Sequence, residues 1–206
     1  EHLNDSGIRV LDCTAFNRPD GGGGVRAESG RESWANGHIP GSGHADLVND
    51  LSDKSASFRY MMPPAEQFAE AMSGYGVGAG TRAVLYDSSS GSWATRVWWM
   101  LRAFGFDDAC ILNGGLHKWK LEGKPVATGP AVYPPAVFHA ERRPGLIADK
   151  VEVLSALGQG AACVLNALSK EQHLGAGGTN YGRAGRIANT VNVPAGDLID
   201  SVSHAY

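Results

Sequence analysis

Residues Ala83 to Phe106 read AVLYDSSSGSWATRVWWMLRAFGF, and DDACILNGGLHKW follows at once from Asp107 to Trp119. Thr81 to Tyr86 is an apolar run of strand length, and Ser88 to Gly91 is a small polar break. Trp93 to Phe104 is apolar on most sides and long enough for a buried helix, with Trp98 and Trp99 as core residues. Cys110 to Leu112 is the next strand, and Gly115 to Leu121 is a short helix stopped by Gly123 and Pro125. Strands alternating with helices predict an α/β fold, a parallel sheet with helices on both faces.

The same grammar extends outward. Ile8 to Asp12 is a buried strand, and residues 17 to 33, rich in Gly, Arg and Glu, read as a loop containing the run Gly21 to Gly24. GHIPGSGHADL from Gly37 is a turn-rich approach to a short strand. Pro63-Pro64 opens a helix through Tyr75, with Phe68, Met72 and Tyr75 on one face. Five prolines between 124 and 147 predict an extended linker. Then the pattern restarts: Asp149 caps a helix to Leu157, Ala162 to Asn166 is a strand, and GRIANTVNVP from Gly185 echoes the segment at Gly37. We therefore expect one complete domain over 1–123, a linker over 124–147 and a partial repeat over 148–206.

Composition narrows the function. The chain has 206 residues, 43% hydrophobic and 19% charged, with a net charge of −3 and no block of Lys and Arg, which argues against a nucleic-acid surface. No apolar run reaches the length of a membrane span. The chain starts at Glu1, so an upstream targeting piece is an open question, and both cytoplasmic and periplasmic locations fit a soluble protein. Cys13, Cys110 and Cys163 form no CxxC pair, and no Cys/His cluster has zinc spacing. Cys110 and Cys163, inside apolar runs, are expected to be small buried hydrophobes. His38, His44 and Asp46 read as structural rather than as a metal site, and no G-x-S-x-G elbow surrounds Ser88, Ser89 or Ser90. Arg96 is expected to pair with a local carboxylate, the alternative being that it contributes positive potential to an interdomain cleft.

Five motifs in order, VLDC (Val10 to Cys13), HIPG (His38 to Gly41), DLVNDLSD (Asp46 to Asp53), the DSSSGSWATRVWWMLRAFG segment and LNGGLHKWKLEGKPV (Leu112 to Val126), closely resemble the tandem-domain rhodanese sulfurtransferases. The resemblance implies sulfane-sulfur transfer from thiosulfate or a mercapto-acid to a thiophilic acceptor such as cyanide or a thiol, with no cofactor. It places Asp87 where a catalytic domain holds its cysteine, as in the non-catalytic first domain of such proteins. It also makes Ser92, Trp93 and Phe16 candidates for a substrate-pocket wall. A related phosphatase would need Cys-x5-Arg, but Asp87 and Trp93 stand at those positions. The family pattern Leu-Asp-Ala-Arg is replaced by Leu165, Asn166, Ala167 and Leu168, and no His lies between Val48 and Tyr60, which leans toward thiosulfate. The resemblance thus implies that this chain alone is inactive, that its nucleophile is a cysteine outside these residues, and that further polypeptide completes the second repeat. The alternative is a non-catalytic rhodanese-like binding or scaffold module.

Overall fold

A computed structural model describes residues 2–3, 5–21, 24–159, 162–177 and 183–206. Gly22 and Gly23 of the glycine run lie outside them, as do residues 178–182 of the second copy's Gly-rich loop. The chain divides into two compact units: residues 1–16, 27–144 and 201–206 form the first, and residues 17–26 and 145–200 the second.

The first unit is built on a parallel sheet of β1 (Ile8–Asp12), β4 (Gly43–His44), β5 (Arg82–Tyr86) and β6 (Ala109–Ile111), in the order β4-β1-β5-β6. Alternate residues of a strand face opposite ways, and the two apolar clusters follow that period. Leu11, Ala83 and Leu85 face Phe68 and Met72 of α2 (Ala65–Gly74) and Val97, Met100 and Leu101 of α3 (Ser92–Ala103). Val10 and Tyr86 face the other way, toward Ile39 and Leu116 of α4 (Gly115–Leu121). Both faces are covered, as the near-continuous apolar strands require. Trp98 and Trp99, expected in the core, are only partly buried; Trp98 donates its indole N–H to Ala109 O at 3.1 Å.

Residues 17–33 are not a loop. β2 (Ala15–Pro19) and β3 (Val25–Ser29) pair as a two-stranded sheet, and α1 (Arg31–Asn36) follows. Their polar, glycine-interrupted sequence hid the pattern, because a pair with little buried surface has little need of apolar alternation. Residues 124–144 carry no helix or strand, yet they pack on the first unit. Phe138 is buried beside Phe68, and the Val10 N–H donates to Tyr133 Oη at 2.9 Å.

The second unit contains α5 (Lys150–Gln159), β7 (Leu165–Asn166), α6 (Lys170–Leu174), β8 (Val191–Asn192) and a 3-10 turn at Ala195–Leu198. Asp149 and Glu152 cap α5 reciprocally, each carboxylate accepting from the other's backbone N–H at 2.8 and 2.7 Å. β7 and β8 run parallel, with Leu165 opposite Val191 and Asn166 opposite Asn192.

Candidate functional site

The loop between β5 and α3 is organised around one carboxylate. Asp87 is 1% exposed. Its Oδ1 accepts from the Ser89 N–H at 2.8 Å, the Gly91 N–H at 3.0 Å and Ser89 Oγ at 3.0 Å. Its Oδ2 accepts from the Trp93 and Ala94 N–H groups, both at 3.0 Å. The last two belong to the first turn of α3, whose N–H groups have no partner within the helix and whose dipole favours an anion. Gly91 closes the loop with φ +80°, a conformation an L side chain rarely adopts. The chain beneath is fixed as well: Asp87 O accepts from the Leu116 N–H at 3.0 Å, and a Cβ on Gly115 would meet that oxygen at 2.4 Å. Four backbone donors thus converge on one point, and a side chain of this protein fills it.

The neighbouring strand ends in a second buried acid. Asp12 is 1% exposed, and burial pushes its carboxyl up from 3.8 to about 6. Hydrogen bonds offset part of that rise, including the Thr14 N–H at 2.8 Å, and the charge of Asp87 adds to it. Between the two acids, Cys13 is fully buried, and burial followed by the two carboxylates pushes its thiol well up. A thiol held protonated is a poor nucleophile. Cys13 is packing material.

Cys110 and Cys163, expected inside, are exposed. Cys110 lies on β6, which is paired on one side only. Apolar neighbours in sequence did not bury it because period 2 turned Cys110 away from the core. His38 stacks on Trp34 with ring centroids 4.8 Å apart, its Nδ1 2.8 Å from Trp34 O. His44 is buried, and burial pulls its pKa down. Among the described residues, no group of three or more His, Cys, Asp or Glu is placed to hold a metal ion.

Of the three candidate pocket residues, the structure brings two together through a residue that the sequence did not mark. Tyr60 stacks obliquely on Trp93, with ring centroids 5.1 Å apart, and its hydroxyl donates to Phe16 O at 3.3 Å. Its own carbonyl accepts from Arg96 Nη2 at 2.6 Å. Tyr60 has φ +59°, a strained value for a non-glycine residue. No sequence signal announces that backbone. Ser92 is exposed, and its hydroxyl lies 2.9 Å from Ser90 Oγ. Arg96, expected to pair with a carboxylate, has no Asp or Glu within ion-pair distance among the described residues. Residues 201–206 cover the loop from another side: His204 Nδ1 lies 2.9 Å from Ser89 O, and the Tyr206 N–H donates to Asn113 Oδ1 at 2.8 Å.

The family profile described as the rhodanese-like domain matches residues 1–122. The chain belongs to the rhodanese family. It is 33% identical to the human 3-mercaptopyruvate sulfurtransferase over 173 residues, covering 82% of this chain and 58% of that protein. It is 31% identical to the bovine thiosulfate sulfurtransferase over 196 residues, covering 91% of this chain and 62% of that protein. The crystal structure of SseA from Escherichia coli, a 3-mercaptopyruvate sulfotransferase of "Rhodanese" fold, superposes with a TM-score of 0.81 at 29% identity, covering 98% of this chain and 74% of that one. The 3-mercaptopyruvate sulfurtransferase from Leishmania major shares the fold, with a TM-score of 0.71 at 23% identity, covering 93% of this chain and 51% of that one. The chain spans about 60% of the length of the human and bovine relatives. Its relatives are sulfurtransferases, and this rhodanese chain shares their sheet and helices.

Proposed function

We propose that this rhodanese chain is the non-catalytic unit, with part of a second unit, of a sulfurtransferase that moves sulfane sulfur from thiosulfate or a mercapto-acid to cyanide or a thiol. The reaction runs through a persulfide on a cysteine outside these 206 residues. A thiolate attacks the outer sulfur of thiosulfate, the S–S bond breaks, and sulfite leaves with the electron pair. Cyanide then attacks the terminal sulfur, giving thiocyanate and returning the thiolate. The observation that carries the reading is the loop at Asp87. Converging N–H groups and a helix N-terminus suit a thiolate or persulfide, but the Asp87 carboxylate already uses them. Cys13 is sealed, while Cys110 and Cys163 lie outside this loop.

Further polypeptide would complete the second unit. Exposed Leu165, Val191 and Val193 support this, because a two-stranded pair with apolar edges is marginal in water and prone to further pairing. An intact mass on a denaturing column tests it: a cysteine-bearing companion should accompany a stable preparation, and a lone, well-behaved species of 21.7 kDa would count against it. The test of function is a thiosulfate-to-cyanide assay on the purified 206-residue chain. Thiocyanate should form no faster than in a boiled control; clear turnover would overturn the reading. The sealed loop also favours a second reading, a binding or scaffold module. Absence of transfer even with the completing polypeptide present would select it.

A further inference from the structure

Arg96 is a cation in an unusual position. It sits on α3 one turn after Trp93, half-buried, and its Nε is fully enclosed with no acceptor. Its one hydrogen bond among the described residues goes to a neutral carbonyl, Tyr60 O at 2.6 Å. Burial pulls its pKa down. A desolvated guanidinium without a counter-ion costs several kcal/mol in principle, so such groups are normally paired. Even more exposed arginines of this unit reach a carboxylate: Arg82 pairs with Asp108 at 2.6 Å and Arg143 with Asp107 at 2.7 Å.

The partner of Arg96 is strained too. Tyr60 holds φ +59° while its ring stacks on Trp93, its hydroxyl donates to Phe16 O and its carbonyl accepts from Arg96. Strain of this kind persists where the surroundings over-determine it, and it concentrates at ligand sites. Two costs, an unanswered charge and a left-handed tyrosine, therefore meet at one contact. An oxyanion would answer the charge, because a guanidinium offers a planar fork of N–H donors matched to it.

We propose that Arg96, anchored on the Tyr60 carbonyl, is an anion-holding residue that takes the oxyanion end of the sulfur donor, the SO3 group of thiosulfate or the carboxylate of a mercapto-acid. Tyr60 links the two groups, its carbonyl bound to Arg96 and its ring stacked on Trp93, and the aromatic pair would give the uncharged part of the donor an apolar surface. This assignment of the donor rests on the sulfurtransferase reading; the presence of an oxyanion site at Arg96 does not.

The test is a titration of the 206-residue chain with thiosulfate, and separately with mercaptoacetate, at constant ionic strength. It is followed through the Arg96 Nε–H and Trp93 indole N–H resonances. Both signals should shift saturably. Arg96→Met should weaken binding tenfold or more, and Arg96→Lys, which keeps charge but loses the fork, about threefold to tenfold. The site is overturned if neither anion shifts these signals in the wild-type chain, or if Arg96→Lys binds as tightly as wild type; that second arm holds even if Arg96→Met fails to fold. Sulfate binding as tightly as both donors would overturn the donor assignment and keep the oxyanion site. Saturable binding of a donor without transfer by the completed protein would keep the site and defeat the sulfurtransferase reading.

Discussion

The strand pairs β1–β4 and β7–β8 are two copies of one device, and they end in different places. Both are parallel, with Leu11 opposite Gly43 in the first and Leu165 opposite Val191 in the second. Each strand ends in the same side-chain turn: the Thr14 N–H donates to Asp12 Oδ1 at 2.8 Å, and the Leu168 N–H to Asn166 Oδ1 at 2.9 Å. Each partner strand is reached through a left-handed residue, Gly41 at φ +77° and Asn189 at φ +61°. Beyond that point they diverge. Leu11 is fully buried under two helices, whereas Leu165 is 59% exposed and Val191 51% exposed. Among the described residues from 145 to 200, only His173 is buried. Local sequence suffices to build the turn and the register, but burying the strand takes surfaces that only the rest of a sheet and its helices provide.

The largest expected contrast is in hydrogen exchange. Backbone amides of β1, β5 and α3 should be protected on the order of a thousandfold more than those of α5, β7 and β8, because few buried contacts hold the second unit against local opening. Comparable protection in both units would break the comparison. Phe68→Ala should next cost about 3–5 kcal/mol by urea unfolding, since Phe68 is fully enclosed and stacks on Phe104 at 4.4 Å. Leu165→Ala, on the exposed copy, should stay within about 0.5 kcal/mol.

A finer contrast lies in the paired turn residues, because Asp12 can titrate and Asn166 cannot. The folded pKa of Asp12, about 6, is above its ordinary value of 3.8. The stability tied to its neutral form is therefore full below about pH 3.8 and is lost as pH rises through 6. Asp12→Asn copies the second turn and keeps the acceptor for Thr14. It should stabilise the protein by up to about 3 kcal/mol at pH 8, and the gain should vanish near pH 4. A gain that is the same at both pH values would show that the carboxyl is not held neutral.

The central sheet was legible because its strands are apolar runs bounded by glycine, proline and charge, and because the helices between them carry apolar faces. Gly115–Leu121 coincides with the expected helix, and Ser92–Ala103 differs from its expected bounds by one residue. The β2–β3 pair was missed, since Ala15–Pro19 and Val25–Ser29 hold few buried side chains to set a period. Asp87 was legible as the residue standing at the cysteine position of the loop; the four backbone donors around it and their division between its two oxygens were not. Tyr60 was invisible as a site residue, because its importance lies in a backbone angle and in contacts with residues 36 and 44 positions away. The unpaired state of Arg96 was equally hidden, because a missing counter-ion is a property of three dimensions.

The central claim is that the loop after β5 is an assembled anion cradle occupied by the protein's own carboxylate. Asp87→Cys tests it most directly, with the new thiol titrated by thiolate absorbance and the wild-type chain, with its own three cysteines, subtracted. If the Ser89, Gly91, Trp93 and Ala94 N–H groups form a working cradle, the added thiol should ionise well below the ordinary value of about 8.5. A value at or above 8.5 would mean that burial outweighs the donors at this loop, and the account of Asp87 would be wrong.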